Sequence, residues 1–256
     1  MTSWTKDENL KCVVLCAGRG SRTKSRFTFK WENIRSLKSI KFFSNLRKKP
    51  KPLFKVFDKP LLGWIVDYWK KYTNDFVFVV GYKKEKVIDY VKTLPINYTI
   101  VEQDEPKGIA HAASLTKDHI TNNFILVLGD CICRGDFKFP EDMKHGIGAW
   151  QTGDTSAIKR SYSVEHKDGI IDKLVEKPSR PPNNLCGLGF YFLNKDVFNY
   201  IDKTPPSSLR NEVEITDVLQ NMVTNGNKLH LVEFNGQYLN ITYPEDIEIA
   251  ERILSD

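Results

Sequence analysis

The sequence predicts an α/β protein with a mixed, mainly parallel sheet that is covered by helices on both faces. Two observations indicate this fold. Four short apolar runs are typical of buried strands, at residues 12–17, 76–80, 98–101 and 124–128. Helix-like segments lie between these runs, at residues 61–69, 85–94 and 108–115. Strands that are apolar throughout are expected where helices cross over between parallel neighbours and bury both faces of the sheet.

The elements of this first half follow from their composition and their ends. Residues 61–69 are too apolar for a surface helix, so this helix is predicted to lie under the sheet. Gly81 ends the strand at 76–80, and Gly129 with Asp130 ends the strand at 124–128. Each strand end therefore carries a small or polar residue that a ligand could approach.

The second half of the chain changes in character. Strand-like segments occupy residues 146–150, 162–166, 170–176, 188–192, 229–234 and 238–241. The dipeptide Asp168-Gly169 is a hairpin signal between two of them. Helices are expected at 215–223, before Gly226, and at 244–254, where acids fill the first turn. We predict one domain, residues 1–256, in which roughly residues 140–256 add a subregion that binds the acceptor.

The positive charge is concentrated in one segment. The 256 residues carry a formal net charge of +6, and residues 23–50 hold nine lysines and arginines against the single acid Glu32. Within this basic insertion, residues 33–46 have the periodicity of a helix that Pro50 and Pro52 would end. Three interpretations stay open: a surface excursion that packs on the main domain or a sister subunit, a lid over an anionic ligand, or a contact with nucleic acid or an acidic membrane.

The targeting and redox signals are those of a cytoplasmic protein. No run of 18 apolar residues is present, and the N-terminus lacks the apolar core of a signal peptide, so no membrane span is expected. The five cysteines lie in or beside apolar strands without Cys-x-x-Cys spacing. They are predicted to be reduced core residues.

Residues at the ends of the predicted strands form the candidate site. The first strand runs into Gly18-Arg19-Gly20-Ser21-Arg22. Glycines let backbone N–H groups approach a phosphate, and Arg22 adds charge and a planar fork of donors. Ligands bind at the carboxyl ends of parallel strands, so Arg22, Gln103 and Asp130 should gather at one edge of the sheet. The sequence thus predicts a cradle for nucleotide phosphates.

Eight short motifs follow one another along the chain. They are Leu15-Cys-Ala-Gly-Arg-Gly-Ser-Arg22, Lys51-Pro-Leu, Gln103 with Gly108-Ile-Ala-His-Ala, Leu128-Gly-Asp130, Glu176-Lys-Pro178, Gly187-Leu-Gly-Phe-Tyr-Phe192, Asn211-Glu-Val-Glu-Ile-Thr-Asp217 and Tyr238-Leu-Asn240. In this order they closely resemble the sugar-1-phosphate nucleotidyltransferases, the group that includes glucose-1-phosphate thymidylyltransferase and the uridylyltransferase domain that makes UDP-N-acetylglucosamine. The resemblance covers nearly the whole chain except residues 1–9 and the basic insertion. It implies a Rossmann-like, GT-A-like sheet with a small sugar-binding subregion.

The resemblance assigns the nucleotide to the first half of the chain. The residues that would surround the triphosphate are Leu15, Ala17, Gly18, Gly20, Ser21 and Arg22. Lys51 would contact phosphate near the reacting centre. Gln103 and Gly108 would read the base, which in this branch of the family is usually uracil or thymine.

The resemblance also assigns the metal and the sugar phosphate. Asp130 would bind Mg²⁺, and Asn240 stands where relatives place a second metal ligand. Glu176 would contact sugar hydroxyls, and Lys177 the sugar phosphate. The residues that would line the sugar pocket are Gly189 and Glu212.

These residue types fit the implied reaction, in which an NTP, favoured to be dTTP or UTP, and a hexose 1-phosphate, favoured to be glucose 1-phosphate, give a nucleotide sugar and pyrophosphate. The nucleophile would be a phosphate oxygen that is already anionic near pH 7, so no general base is needed. The obstacle is repulsion between two polyanions, which Mg²⁺ on Asp130 and the cations Arg22, Lys51 and Lys177 would neutralise. A homo-oligomer is expected, whereas nucleic acid is not a favoured partner.

Plainer roles stay open for single residues. Asp130 could cap a turn, and Lys177 could be a solvated loop lysine. Glu212 could belong to the charge pattern of a helix start, and Asn240 could form a turn. His111 is expected to be structural and not a ligand.

Two departures from the family pattern accompany the resemblance. The basic insertion places 28 residues, 23–50, between the cradle and Lys51. Ser163 replaces a glycine that relatives use near the sugar, which leaves the identity of the sugar open. The alternative functions are a cytidylyltransferase acting on another phosphorylated acceptor and a non-catalytic relative that binds a sugar nucleotide. An NAD(P)-dependent oxidoreductase is disfavoured because Thr23 breaks the Gly-x-Gly-x-x-Gly pattern.

Overall fold

The computed structural model describes residues 7–18, 49–105, 107–207, 212–243 and 245–255. The strands in these ranges are β1 Lys11–Leu15, β2 Lys55–Val56, β3 Lys59–Pro60, β4 Asp75–Val80, β5 Asn97–Glu102, β6 Asn123–Leu128, β7 Cys131–Lys138, β8 His145–Gln151, β9 Tyr162–Lys167, β10 Ile170–Glu176, β11 Leu185–Asn194 and β12 Leu229–Asn240. The α-helices are α1 Leu61–Trp69, α2 Lys84–Val91, α3 Ile109–Ser114, α4 Thr155–Arg160, α5 Phe198–Ile201, α6 Ile215–Thr224 and α7 Glu245–Ser255. Short 3₁₀ turns lie at Lys51–Leu53, Lys117–His119 and Lys195–Val197.

The first half of the sheet is parallel, as predicted. β1 lies between β4 and β6 and is parallel to both, and β4 is parallel to β5 on its other side. All four apolar runs of the first half are therefore strands, and helices cross over between them. This arrangement brings the carboxyl ends of β1, β4, β5 and β6 to one edge.

The second half of the sheet corrects the prediction of a mainly parallel sheet. Only β8 and β12 are parallel there within the described ranges, and antiparallel pairs outnumber parallel ones in the whole sheet. Of the antiparallel pairs in this sheet, only β9–β10 is joined by a short hairpin, and the others pair strands that are far apart in the chain. At the hairpin between β9 and β10, Asp168 and Gly169 have φ of 51° and 79°, as the hairpin signal predicted.

Five strands of this half form a closed ring of pairs. The order of the sheet runs β5-β4-β1-β6-β11-β8-β12-β10-β9, and β9 also pairs with β11, at Ser163 and Cys186. The ring therefore contains β11, β8, β12, β10 and β9. The ring is joined to the parallel half of the sheet where its strand β11 pairs with β6.

Two apolar layers hold the sheet, one on each face. Alternate residues of β1 enter different layers, with Cys12 and Val14 on one side and Val13 on the other. The first layer contains α1, which is buried as predicted, and its Trp69 is 1% exposed and packs with the rings of Phe137 and Phe190 at 5.7 and 5.1 Å. Burial of a large apolar side chain contributes about 1.5–3 kcal/mol, so this layer is a major source of stability.

The prediction for the cysteines is borne out in the described part of the chain. The five cysteines are free and buried. Within the described ranges, no helix combines the length and the apolar composition that a membrane span requires. The predicted helix at 33–46 lies outside the described residues.

The sequence did not predict β7 or the full length of β12. The two segments predicted at 229–234 and 238–241 are one continuous strand, which pairs with β7 from Glu233–Lys138 to Asn240–Cys131 without a register shift. Gly236 faces Gly135 at the middle of this ladder, where a Cβ on Gly236 would lie 2.1 Å from the Arg134 carbonyl oxygen. The glycines look like turn signals in the sequence, but they permit a close approach of two backbones.

We expect Gly236→Ala to lower the free energy of unfolding by about 1–3 kcal/mol, because the added methyl group meets backbone that cannot move aside. Chemical denaturation measures the effect. Gly153→Ala is the matched control, since no described atom lies within 4 Å of its Cβ position. Equal stability of the two variants would contradict the close packing of the ladder.

His145, at the start of β8, is buried with a titratable neighbour. It is 1% exposed, its Nδ1 accepts a hydrogen bond from the Asn194 N–H at 3.3 Å, and its Nε2 lies 2.8 Å from an Asp196 oxygen. Burial lowers the pKa of His145 to about 4, although Asp196 acts in the opposite direction. The folded protein therefore keeps this imidazole neutral, whereas the unfolded chain binds a proton below about pH 6.5.

We expect the free energy of unfolding to fall as the pH drops from about 6.5 to about 4, with His145 contributing on the order of 3 kcal/mol. His145→Gln keeps an acceptor and a donor but does not titrate, so its unfolding free energy should depend less on pH over this range. Denaturation at a series of pH values measures the slopes, with the half-buried His119→Gln as the control. Parallel slopes for wild type and His145→Gln would refute the assignment.

Candidate active site

At the carboxyl edge of the parallel strands, backbone hydrogen bonds join the segments that follow the strands to neighbouring strands. The Gln103 N–H donates to the Val80 carbonyl at 2.7 Å, and the Gly129 N–H donates to the Leu15 carbonyl at 3.0 Å. These bonds place the residue after β5 beside the end of β4, and the residue after β6 beside the end of β1. The predicted gathering of Gln103 and Asp130 at one edge is therefore observed at the level of the backbone.

The phosphate cradle is described only in part. Leu15 is half-buried, Ala17 is buried, and Gly18 is exposed with no described atom within 4 Å of its Cβ position. Among the described residues, no atom packs over the Cβ position of Gly18 at the end of β1. The other predicted cradle residues lie outside the described residues, and they are Gly20, Ser21 and Arg22.

Lys51 and Asp130 form an ion pair at this edge. The Lys51 Nζ lies 2.7 Å from the Asp130 Oδ2, and the two side chains are 14% and 29% exposed. Lys51 begins a 3₁₀ turn that the buried Pro52 anchors, and Asp130 follows the turn after β6. The structure therefore brings together a cation and a carboxylate that are 79 positions apart in the chain.

Asn240 lies beside Asp130 through the β7–β12 ladder. Asn240 is the last residue of β12 and pairs with Cys131, and the Ile241 N–H donates to the Asp130 carbonyl at 2.9 Å. The Thr242 hydroxyl donates to the Asn240 Oδ1 at 3.4 Å. Asn240 thus ends a strand, and its backbone adjoins that of the predicted metal ligand.

This oxygen-rich edge fits a magnesium ion that arrives with phosphates. Mg²⁺ is held in such sites by one or two carboxylates together with ligand phosphates, not by a cage of protein side chains. The described residues contain no cluster of three histidine, cysteine, aspartate or glutamate side chains, whereas Asp130 already holds one cation, the Lys51 ammonium. Asp130 would hold the ion, with Asn240 next to it.

Glu176 and Lys177 are fixed at the end of β10. The Lys177 Nζ lies 2.7 Å from the Glu176 Oε1, and the Thr216 hydroxyl donates to the Glu176 Oε2 at 3.3 Å. Lys177 has a left-handed backbone with φ of 46°, and its N–H donates to the Ser161 carbonyl at 2.8 Å. A left-handed non-glycine residue is costly and is retained where the surrounding contacts determine it, which argues against a freely solvated loop lysine.

Sequence reasoning missed the residues around Glu176. Thr216, 2% exposed in the first turn of α6, holds the carboxylate, and the pKa of Asp217 is raised by burial and, secondly, by the Glu176 charge. Both residues stood in the motif that begins at Asn211, but only Glu212 received a role. The available signal in the sequence was a threonine beside an acidic residue, Thr216 before Asp217.

Gly108 and Glu212 pack directly on one another. Gly108 precedes α3 with φ of 97°, and a Cβ on it would lie 3.1 Å from the Glu212 Cβ. A residue predicted for the base and a residue predicted for the sugar thus meet at one contact. The loop before α6 and the start of α3 form one wall of the site.

Gly189 is held by an unpredicted tyrosine. Its N–H donates to the Tyr238 hydroxyl at 3.1 Å, and the same hydroxyl lies 3.0 Å from the Cys131 Sγ. A Cβ on Gly189 would lie 2.8 Å from that Sγ, next to Asp130 in the chain. Tyr238 stood in the last sequence motif, but without a role.

Gln103 contacts His111. The Gln103 side chain is largely buried, and its Nε2 lies 2.9 Å from the His111 Nδ1. Burial, with a smaller contribution from Lys107, lowers the pKa of His111. His111 was expected to be structural, and its position beside Gln103 gives it a neighbour in the predicted base site.

A groove of about 760 Å³ lies elsewhere, against β8, β9, β12 and the start of β11. Its lining includes Trp150, Glu165, His166 and Glu233 but, among the described residues, neither lysine nor arginine. None of the residues predicted from the sequence lines it. A groove with two carboxylates and no such cation is unsuited to a triphosphate, so we place the candidate site at the carboxyl edge.

Known proteins share both the sequence pattern and the fold. The sequence model of the nucleotidyl transferase family matches residues 46–247. The UTP–glucose-1-phosphate uridylyltransferase AglF of Haloferax volcanii is 31% identical over 258 residues, 96% of this chain and 97% of AglF. The bifunctional protein GlmU of Methanococcus maripaludis strain C7 is 29% identical over 244 residues, 93% of this chain and 53% of GlmU, so the chain spans about half the length of that relative.

The solved structure of UDP-glucose pyrophosphorylase complexed with UDP-glucose has a TM-score of 0.75 to this chain at 21% identity, and the match covers 94% of this chain and 97% of that one. This likeness supports the same fold. The family model covers most of the chain, and AglF matches it nearly end to end. The chain therefore belongs to the nucleotidyl transferase family, and its motifs place it with the sugar-1-phosphate nucleotidyltransferases.

Proposed function

We propose that this chain joins a nucleoside triphosphate, UTP or dTTP, to a hexose 1-phosphate, most simply glucose 1-phosphate, and releases pyrophosphate. The observation that carries the proposal is the Lys51–Asp130 pair at the carboxyl edge of β1 and β6. The relative AglF, whose name states UTP and glucose 1-phosphate, supports this choice of substrates. The cytoplasmic location, the homo-oligomer and the single domain over residues 1–256 stay predictions.

The reaction requires charge neutralisation more than proton transfer. An anionic oxygen of the sugar phosphate attacks the α-phosphorus of the triphosphate, and the bond from that phosphorus to the bridging oxygen breaks as pyrophosphate leaves. No proton has to be removed from the nucleophile. The protein must bring two polyanions together, and fixed cations near the phosphates serve that purpose.

The acceptor phosphate is proposed to bind at Lys177. The left-handed backbone of Lys177 and the bond from its N–H to Ser161 fix where its side chain starts. Glu176, held by Thr216, would accept hydrogen bonds from sugar hydroxyls. Gly189 and Glu212 would line the same pocket, because both adjoin residues of the site in the fold.

The triphosphate is proposed to bind between the cradle and Lys51. No described atom packs over Gly18 at the end of β1, and the ion pair with Asp130 holds Lys51 at the same edge of the sheet. Arg22, Gly20 and Ser21 keep the roles that the resemblance implies. Gln103 and Gly108 would contact the base.

Asp130 and Asn240 would hold Mg²⁺, which supplies positive charge to the α-phosphate and the leaving pyrophosphate. Lys51 occupies the Asp130 carboxylate in this structure. Binding of the ion at Asp130 would release Lys51 to contact phosphate. Lys51 and the ion would thus compete for one carboxylate.

We expect Asp130→Asn and Lys177→Met each to lower kcat/KM by about 100-fold or more, because each removes a group that acts on developing charge. The assay is pyrophosphate release with Mg²⁺, UTP or dTTP, and glucose 1-phosphate. Asp136→Asn, on exposed β7, is the matched control and should keep wild-type turnover. Full activity of Asp130→Asn would refute the proposed centre, and silence of the wild type with all hexose 1-phosphates would refute the reaction.

Lys51→Met should weaken turnover and tighten metal binding. Without nucleotide, removal of the ammonium from Asp130 should raise the affinity for Mn²⁺ by several-fold, since Lys51 and the ion compete for one carboxylate. Electron paramagnetic resonance of free Mn²⁺ measures this directly. The exposed Lys55→Met is the control, and the gain should vanish in the double variant Lys51→Met/Asp130→Asn. An unchanged or weaker Mn²⁺ affinity in Lys51→Met would exclude the competition.

A further inference from the structure

We propose that His111 fixes the orientation of the Gln103 carboxamide and thereby sets a preference for uracil or thymine over cytosine. The inference rests on the proposed function, because it needs a pyrimidine triphosphate at Gln103. It makes His111 a positioning residue that acts through Gln103 and does not itself contact the base.

The two side chains meet in a defined way. The Gln103 Nε2 lies 2.9 Å from the His111 Nδ1. An amide nitrogen has no lone pair to offer, so the Gln103 N–H donates and the His111 Nδ1 accepts. Within the described ranges, this is the one hydrogen bond of the Gln103 side chain. The Gln103 Oε1 therefore points away from His111.

The imidazole can serve as an acceptor because it is neutral. Burial lowers the pKa of His111, Lys107 acts in the same direction, and Glu105 opposes it. A neutral ring carries one N–H and one free nitrogen, and here Nδ1 is the free one. A carboxamide turned by 180° would point Oε1 at the lone pair of Nδ1, which is repulsive unless the ring proton moves from Nε2 to Nδ1.

Both residues also have fixed backbones. The Gln103 N–H bonds to Val80 at 2.7 Å, and its side chain is 6% exposed. His111 sits in α3, and its carbonyl accepts from the Ser114 hydroxyl at 2.9 Å. Gly108 at the start of α3 is packed on Glu212. Neither partner can therefore relax easily when the orientation of the amide changes.

A fixed carboxamide distinguishes the pyrimidines by their N3 atoms. Uracil and thymine carry a hydrogen on N3, whereas cytosine carries a lone pair there. With Nε2 turned to His111, Gln103 offers Oε1 as an acceptor and one remaining N–H as a donor. This pair matches the N3–H and a neighbouring carbonyl of uracil or thymine, whereas a cytosine ring at the same position would set its N3 lone pair against Oε1. One unsatisfied or repulsive contact of this kind changes affinity by about tenfold to about 100-fold.

The test compares two substitutions of His111 in the full chain. His111→Phe removes the acceptor, whereas His111→Asn keeps an oxygen near the position of Nδ1. The dissociation constants of UTP, dTTP and CTP are measured with Mg²⁺ and without sugar phosphate by isothermal titration. The half-buried His119→Phe, outside the predicted base site, is the control for loss of a histidine.

We expect wild type and His119→Phe to bind UTP and dTTP at least about tenfold more tightly than CTP. His111→Phe should make the dissociation constants of UTP, dTTP and CTP similar, and His111→Asn should restore most of the difference between them. In a Gln103→Leu background, His111→Phe should change the ratio no further, because its effect passes through Gln103.

The possible failures are distinguishable. A wild type that binds none of the three triphosphates overturns the proposed function and this inference with it. A wild type that prefers UTP or dTTP, while His111→Phe keeps the same ratio or weakens all three equally, leaves the proposed function in place and overturns the role of His111. A wild type that prefers CTP overturns the orientation argued here.

Discussion

The ion pair between Lys51 and Asp130 is the interaction on which the candidate site depends. This pair is part-buried, and the attraction in such a pair does little more than offset the lost hydration, so the separation of 2.7 Å reflects backbones that are held in place independently. The buried Pro52 holds one of them, and the bond from Ile241 to the Asp130 carbonyl holds the other. Two apolar layers around one sheet keep both at the same edge, so the packing of the core determines the electrostatics of the site.

The parallel half of the fold could be predicted from the sequence because its strands are apolar on both faces. β4 and β6 each consist of one polar residue, Asp75 or Asn123, followed by five apolar residues. β7 and the middle of β12 could not, because Gly135 and Gly236 stand where a turn is normally expected. Their partner is another glycine across the ladder, which is a fact of tertiary structure.

The candidate site was predicted as a set of residues but not as a set of contacts. The resemblance supplied Asp130, Glu176, Lys177 and Gln103 with their roles. It did not supply Thr216 for Glu176, because a supporting hydrogen bond depends on how α6 lies against β10. Spacing along the chain shows which residues follow strands, whereas the residues that orient them come from elsewhere in the fold.

The register of the β7–β12 ladder limits the insertions and deletions that this chain can tolerate in evolution. The pairing runs unbroken from Glu233 with Lys138 to Asn240 with Cys131, and Asp130 directly precedes the paired segment. An insertion or deletion of one residue in either strand would turn every later side chain to the opposite face. Length changes within the ladder would therefore have to arise in both strands together, or else remain in the loops beyond it.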